Sequence, residues 1–104
     1  MRMLMNVSFP HEPFNAAVRA GTAGESIQRI LAELKPEAVY FTEYDGRRTA
    51  LLVVDVPSPS RIPAFAEPWF LAFGADCRFQ VVMSPDELAS AGLPDLGKKW
   101  GGGR

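Results

Sequence analysis

An α+β domain with the element order β-α-β-β-α-β is predicted from three features of the sequence. The first is a pair of alternating runs, AVYFTEY and RRTALLVVDV, separated by Asp45-Gly46. A two-residue hairpin turn needs positive φ, which Asp and Gly tolerate, so this dipeptide between apolar runs marks a β-hairpin. The second is a helical stripe, Ile62, Phe65, Ala66, Trp69, Phe70 and Phe73. The third is a strand and helix before the hairpin and one more strand after the aromatic helix. This order predicts a ferredoxin-like fold, a four-stranded antiparallel sheet with a short C-terminal helix appended.

Each element has its own local cause. Arg2 to Phe9 alternate as a first strand that stops at Pro10. A helical region follows from about Glu12. Ile27, Ile30, Leu31 and Leu34 form one buried stripe, but Phe14, Ala17 and Val18 do not continue it in phase, which predicts a break at Gly21 and Gly24. Pro36 ends the second part. With Asp45 and Gly46 as turn residues, Tyr44 faces Arg47, Thr42 faces Thr49, and Tyr40 faces Leu51. Ser58 followed by Pro59 fits an N-cap with proline at the first helical position. Pro68 is expected to remove a hydrogen bond and kink that helix, and Gly74 to end it. Asp76 to Met83 gives the last strand. Ser84 and Glu87 form a capping box for a short helix ending at Gly92. The domain is read as residues 1–92, and 93–104 as a C-terminal tail of mobile composition in which Trp100 is able to dock.

At 104 residues and 47% hydrophobic content the chain is sized for one ordinary core. A formal charge of -1 gives no reason to expect nucleic acid or an anionic membrane as partner. Arg47 and Arg48 are read as solvated turn charge. Cys77 is the single cysteine, so no intrachain disulfide forms and a cytoplasmic location is expected. One Cys and one His cannot make a four-ligand zinc site, and neither metal nor cofactor is expected. The N-terminus is too short and too polar for a signal peptide, and no run approaches membrane-spanning length.

Period-two alternation divides the strands into two faces. Met3, Met5, Val7, Phe9, Val39, Phe41, Ala50, Leu52, Val54, Phe79, Val81 and Met83 belong under the helices. The opposite face mixes Asn6, Ser8, Tyr40, Thr42, Tyr44, Thr49, Asp55, Arg78 and Gln80 with Leu4, Leu51, Val53 and Val82. Such a face is too apolar for water and too polar for a plain core. A homodimer packed through this face is the economical reading.

The runs AVYFTEYDGRRTALLVVDV, IPAFAEPWFLAF and VVMSPDELASAG resemble the small bacterial proteins grouped as the DUF3303 family, ferredoxin-like members of the dimeric α/β-barrel superfamily. The resemblance spans Met1 to Gly92. It implies the fold and its pairing as a dimeric α/β barrel, and it carries no reaction. The wider superfamily includes cofactor-free monooxygenases, stress-responsive barrel proteins and haem-binding dismutases, and kinship at that level does not transfer chemistry.

His11, where the first strand gives way to helix, is a candidate general base with Glu12 or a partner chain orienting it. The plainer reading is an exposed loop histidine beside a Glu that favours the helix N-terminus. Asn6, Tyr40, Thr42, Tyr44, Arg78 and Gln80 are the candidate ligand-binding set, with Tyr40 the second catalytic candidate. Amide, phenol and guanidinium groups suit a carbonyl, a phenolate or a carboxylate, and they suit a wet interface equally well. Asp55 is either a buried acid or a cap on the turn at Ser58 and Ser60. Trp69, Phe70 and Phe73 are read as core, Trp69 at its edge because the indole N–H wants a partner. Glu67 is expected in solvent, and Cys77 is read as a small buried hydrophobe. Gly21 to Glu25 lacks the Lys-Ser/Thr of a phosphate loop.

The function these features suggest is a homodimeric domain that binds a small, partly apolar molecule between the two sheets. The alternative is a cofactor-independent enzyme, monooxygenase-, isomerase- or cyclase-like, acting on a small aromatic or keto compound. There His11, Asn6, Tyr40 and Arg78 would move protons and stabilise negative charge.

Overall fold

The hairpin turn fixes the register of the central strands. In the computed structural model, which describes residues 1–102, Asp45 and Gly46 adopt φ of 55° and 78°. Both values lie in the left-handed region that a tight two-residue turn requires. Glu43 accepts the Gly46 N–H through its carboxylate at 2.6 Å, which further locks the turn. Strands β2 (Ala38–Tyr44) and β3 (Arg47–Asp55) then pair with Tyr44 opposite Arg47, Thr42 opposite Thr49 and Tyr40 opposite Leu51, as expected. Strand β1 (Arg2–Ser8) pairs antiparallel with β3 and with β4 (Asp76–Val81), giving the order β2-β3-β1-β4.

The first helical region is two helices, α1 (His11–Ala20) and α2 (Ala23–Leu34). Gly21, at φ 75°, makes the break, and its left-handed conformation closes α1 by donating to the Val18 carbonyl at 3.1 Å. Ile30 and Leu34 of α2 are buried, with Ile27 and Leu31 packed beside them. Helix α3 (Ile62–Phe73) follows a 3₁₀ turn at Pro59–Arg61. Ser58 does not cap it; its hydroxyl meets that of Ser60 at 3.0 Å, and the 3₁₀ turn supplies the helix entry instead. Helix α3 runs unbroken past Pro68, which leaves the Ala64 carbonyl without its helical amide partner.

Phe9 is the hub of the core. Its ring lies 5.0 Å from Phe14 of α1, 5.7 Å from Trp69 and 5.3 Å from Phe73 of α3, all edge-on, and Phe14 stacks on Phe73 at 4.9 Å. One residue past β1 therefore clamps the two helical segments onto the sheet. Trp69 is wholly buried, not at the core edge, and its indole N–H has no partner. Because that donor is unmet, Trp69→Phe should cost under about 2 kcal/mol in urea denaturation, whereas Trp69→Ala should cost about 3–5 kcal/mol. A Trp69→Phe loss as large as that of Trp69→Ala would overturn this expectation.

The helices cover the central strands more fully than the edges. Met5, Val7, Ala50, Leu52 and Val54 are fully buried, whereas Phe41, Val81 and Met83, on the helix side, are exposed. Strand β4 stops at Val81, short of Met83. The Val82 N–H still donates to the Arg2 carbonyl at 3.2 Å, after which the chain enters the capping box.

Helix α4 (Pro85–Ala89) begins as expected: the Glu87 N–H donates to Ser84 Oγ at 3.2 Å, and Glu87 Oε1 accepts the Ser84 N–H at 2.8 Å. These bonds hold the Glu87 carboxyl below its ordinary range. A depressed folded pKa means that this contribution is present above the ordinary carboxylate range and is lost on acidification. The segment after Gly92 carries a further helix, α5, which spans Leu93–Trp100. Pro94 and Asp95 sit in its first turn and Lys98 and Lys99 in its last, the placement that suits the helix dipole. The final residues, 103–104, lie outside the described part. Trp100 does not dock on the body and is 75% exposed. The dimensions, 64 × 28 × 20 Å, reflect this projecting arm, and the radius of gyration of 18.1 Å exceeds the roughly 13 Å of a compact domain this size.

Candidate functional site

The bare face of the sheet gathers most of the candidate residues. Cross-strand pairing places Tyr40 beside Leu51, Leu51 beside Asn6, and Asn6 beside Arg78, one row across all four strands. The next row toward the hairpin is Thr42, Thr49, Ser8 and Asp76; the next away from it is Ala38, Val53, Leu4 and Gln80. Thus Asn6, Tyr40 and Arg78 share a row, Thr42 and Gln80 flank it on either side, and Tyr44 stands at the hairpin end opposite Arg47.

This face sets polar side chains beside exposed and half-buried apolar ones. Tyr40 is 71% exposed, and Leu4, Leu51, Val53 and Val82 are only half-buried. Among the described residues, the side chains of Asn6, Tyr40, Tyr44, Arg78 and Gln80 make no hydrogen bond or ion pair within the protein. Their donors and acceptors are free for a ligand or for a second surface. Thr42 bonds locally to the Glu43 carbonyl at 3.2 Å, and buried Thr49 to the Arg47 carbonyl at 3.1 Å. The far end of the face is closed by Arg2, whose Nε meets Glu37 at 3.0 Å; that bond and charge raise the Arg2 pKa.

Asp55 is neither a buried acid nor a turn cap. It is exposed and accepts from the Met1 ammonium at 2.9 Å, and this bond and charge lower its pKa. Burial takes its natural place elsewhere: Cys77, half-buried on the helix side near the Ala66 carbonyl, has its thiol pushed up to about 12, first by burial and then by the charge of Asp76. The thiolate is the reactive form. At pH 8 Cys77 should therefore exchange with an aromatic disulfide reagent on the order of a hundredfold more slowly in the folded than in the urea-unfolded chain, the lower thiolate fraction being partly offset by the greater nucleophilicity of a higher-pKa thiolate. Comparable rates would show an open, reactive thiol.

His11 stands apart from the Tyr40 row. It is exposed and lines a shallow cleft with Phe41, Arg47 and Arg48 at the hairpin end of β2, and Tyr40 is not among the residues lining it. Glu12 does not orient the imidazole: its Oε2 accepts the Ala16 N–H at 3.2 Å and its Oε1 meets Arg19 at 3.3 Å, so it caps α1. The two catalytic candidates, His11 and Tyr40, do not line a common cleft within one chain. Arg48 is not solvated turn charge. Its guanidinium lies 4.5 Å over the Phe14 ring and donates to Asn15 Oδ1 at 2.8 Å, joining the hairpin to α1. That anchor had no sequence signal, since Arg48 and Asn15 are far apart in the chain. Glu67 is exposed as expected. Among the described residues no group of three or more His, Cys, Asp and Glu side chains is placed to hold a metal ion, and no helix is long and apolar enough to cross a membrane.

Neither a protein-family model nor a curated protein matches the sequence. No family is therefore assigned to the chain. Similar solved structures include a formyltetrahydrofolate deformylase from Pseudomonas putida KT2440, 12% identical with a TM-score of 0.49 over 79% of this chain and 29% of that one. Another is the de novo designed protein Ferredog-Diesel, 12% identical with a TM-score of 0.46 over 78% of this chain and 85% of the design. This chain spans under a third of the deformylase. From its own topology, β-α-β-β-α-β with sheet order β2-β3-β1-β4, the chain is a ferredoxin-like α+β domain.

Proposed function

We propose that two copies of the chain pack through their bare sheet faces and hold a small, partly apolar molecule between them. The observation that carries this reading is the row Tyr40, Leu51, Asn6 and Arg78, in which exposed ring and aliphatic surface lies beside unpaired amide, phenol and guanidinium groups. Water solvates the polar members of that row but not its Leu51, nor Leu4 and Val53 in the next row. A second copy would cover the aliphatic residues, and a ligand would engage the polar ones. Arg78 suits a carboxylate or phenolate, Asn6 a carbonyl, and Tyr40 the flat side of an aromatic or alicyclic ring. Pockets with an apolar lining and a few convergent polar groups are the usual form of small-molecule sites. Pairing through the sheet is also the assembly that the dimeric α/β-barrel resemblance implies.

Native mass spectrometry of protein purified gently from cells tests the reading. A dimer carrying a reproducible added mass that Arg78→Ala removes is the expected result. A monomer, or a dimer that neither carries nor takes up any molecule from a library of small aromatic and alicyclic acids, would overturn it.

A further inference from the structure

The arm α5 presents an apolar stripe with nothing beneath it. Leu93, Leu96 and Trp100 recur at helical spacing, and every described residue from Leu93 onward is exposed. A helix of eight residues with Gly97 inside it is well below the roughly 12–15 residues at which isolated helices become even marginal in water. Its persistence calls for a covering surface.

The helix layer offers one. Between α2 and α3 runs a groove of about 490 Å³ with Ile30, Pro68, Leu71 and Ala72 as its apolar lining and Arg29 and Glu33 as its charged lining. Leu71 is 82% exposed, the most open large hydrophobic side chain of the body. The charges of the two elements match in spacing and oppose in sign. Arg29 and Glu33 are four residues apart on α2, and Asp95 and Lys99 are four residues apart on α5. A parallel alignment sets Asp95 against Arg29 and Lys99 against Glu33. Lys99 already lies over the Trp100 ring, its Nζ 5.2 Å from the centroid, so the cation and the largest apolar group of the arm arrive together.

We propose that α5 of one copy lies in the α2–α3 groove of a second copy, with Leu93, Leu96 and Trp100 against Ile30, Pro68 and Leu71. The arm points away from its own body, as the 64 Å length shows, so the groove it meets belongs to a neighbour. Reciprocal exchange uses both arms and both grooves and closes with twofold symmetry. The groove lies on the helix side of the sheet, so this contact is separate from pairing through the bare face.

Fluorine NMR of the full chain labelled with 5-fluorotryptophan tests the contact, with Trp100→Phe identifying the Trp100 resonance and sedimentation velocity run on the same samples. The expected result is a Trp100 signal that moves from a solvent-exposed to a buried shift as protein concentration rises and the mass grows. Leu71→Glu, at an exposed position that leaves folding intact, should raise the concentration at the midpoint of that shift about tenfold or more. Arg29→Glu should weaken it, and Arg29→Glu with Asp95→Arg should restore it. A Trp100 signal exposed at all concentrations overturns the proposal. So does one buried at monomer mass, which would place the arm on its own body. A buried signal that Leu71→Glu leaves unmoved also overturns it, by assigning the arm to another surface. Loss of dimer mass on changing Leu51, without any effect of Leu71→Glu, would speak for the sheet-face pairing alone.

Discussion

Replacing Phe9 by alanine is expected to destabilise the domain by about 3–5 kcal/mol, a large share of the roughly 5–15 kcal/mol that holds a domain of this size together. The ring is almost wholly buried and meets three other aromatic rings at 5.0, 5.7 and 5.3 Å. Its loss removes the transfer energy of the side chain. It also removes three edge-on ring pairs, each worth about 0.5–1.5 kcal/mol beyond area burial. Collapse into the space is hindered because Phe14 and Phe73 already stack on each other at 4.9 Å and Trp69 fills the remaining side. Urea denaturation reads the change as a lower midpoint with an unchanged slope. Phe41→Ala is the control: its ring is on the same side of the sheet but exposed at the edge strand, and its loss should fall within about half a kcal/mol. A loss of under about 1 kcal/mol for Phe9→Ala would mean that the four rings do not form one rigid cluster.

The contrast between Phe9 and Phe41 also marks what the sequence made legible. Alternation assigns a side chain to a face, and it places both phenylalanines on the helix side. Whether a helix reaches that far is a long-range question: Val39 of the edge strand β2 still packs on the core, whereas Phe41, nearer the hairpin, is exposed. Local signals carried furthest: Asp45-Gly46 dictated the hairpin register, and Ser84 with Glu87 dictated the start of α4. Trp69 lies deeper than the core edge because two opposing terms are unequal. Burying an indole removes about 150–250 Å² from water, worth about 4–6 kcal/mol, against about 1–3 kcal/mol for an unmet donor. Area wins, and the ring goes inside. The arm is hard to read for a different reason. Glycine-rich composition suggested a tail, while Pro94, Asp95, Lys98 and Lys99 carried the placement of a short helix.

The candidate site was legible to the same depth. The hairpin register placed Tyr40 next to Leu51, and alternation put Asn6 and Arg78 on the same face. That all four share one row depends on how β1 inserts between β3 and β4, a pairing of segments distant in sequence. Asp55 and Arg48 failed as readings for that reason too, since their partners Met1 and Asn15 lie far off in the chain.

Leu51→Arg should separate sheet-paired dimers while leaving each monomer folded. Leu51 sits inside the row, with Tyr40 and Asn6 beside it, and its side chain is half-buried on a face that no helix covers. In the monomer an arginine there keeps its charge in water and lays its stem along Leu4 and Val53, so folding should change little. In a sheet-to-sheet pair the same charge is enclosed on a twofold surface, where it meets its own copy or Arg78 of the other sheet. An unpaired enclosed charge costs about 3 kcal/mol or more, which is on the order of a hundredfold in dissociation constant. Sedimentation velocity over a concentration series measures that shift, and urea denaturation at low concentration checks that the fold survives. Val18→Arg, on the exposed side of α1, should leave association unchanged. The sign of the Leu51 result separates the two uses of this face. If the dissociation constant rises and bound small molecule is lost with it, the cavity belongs to the pair. If the dimer persists with an unchanged constant, Leu51 faces solvent in the assembly and no ligand is enclosed there.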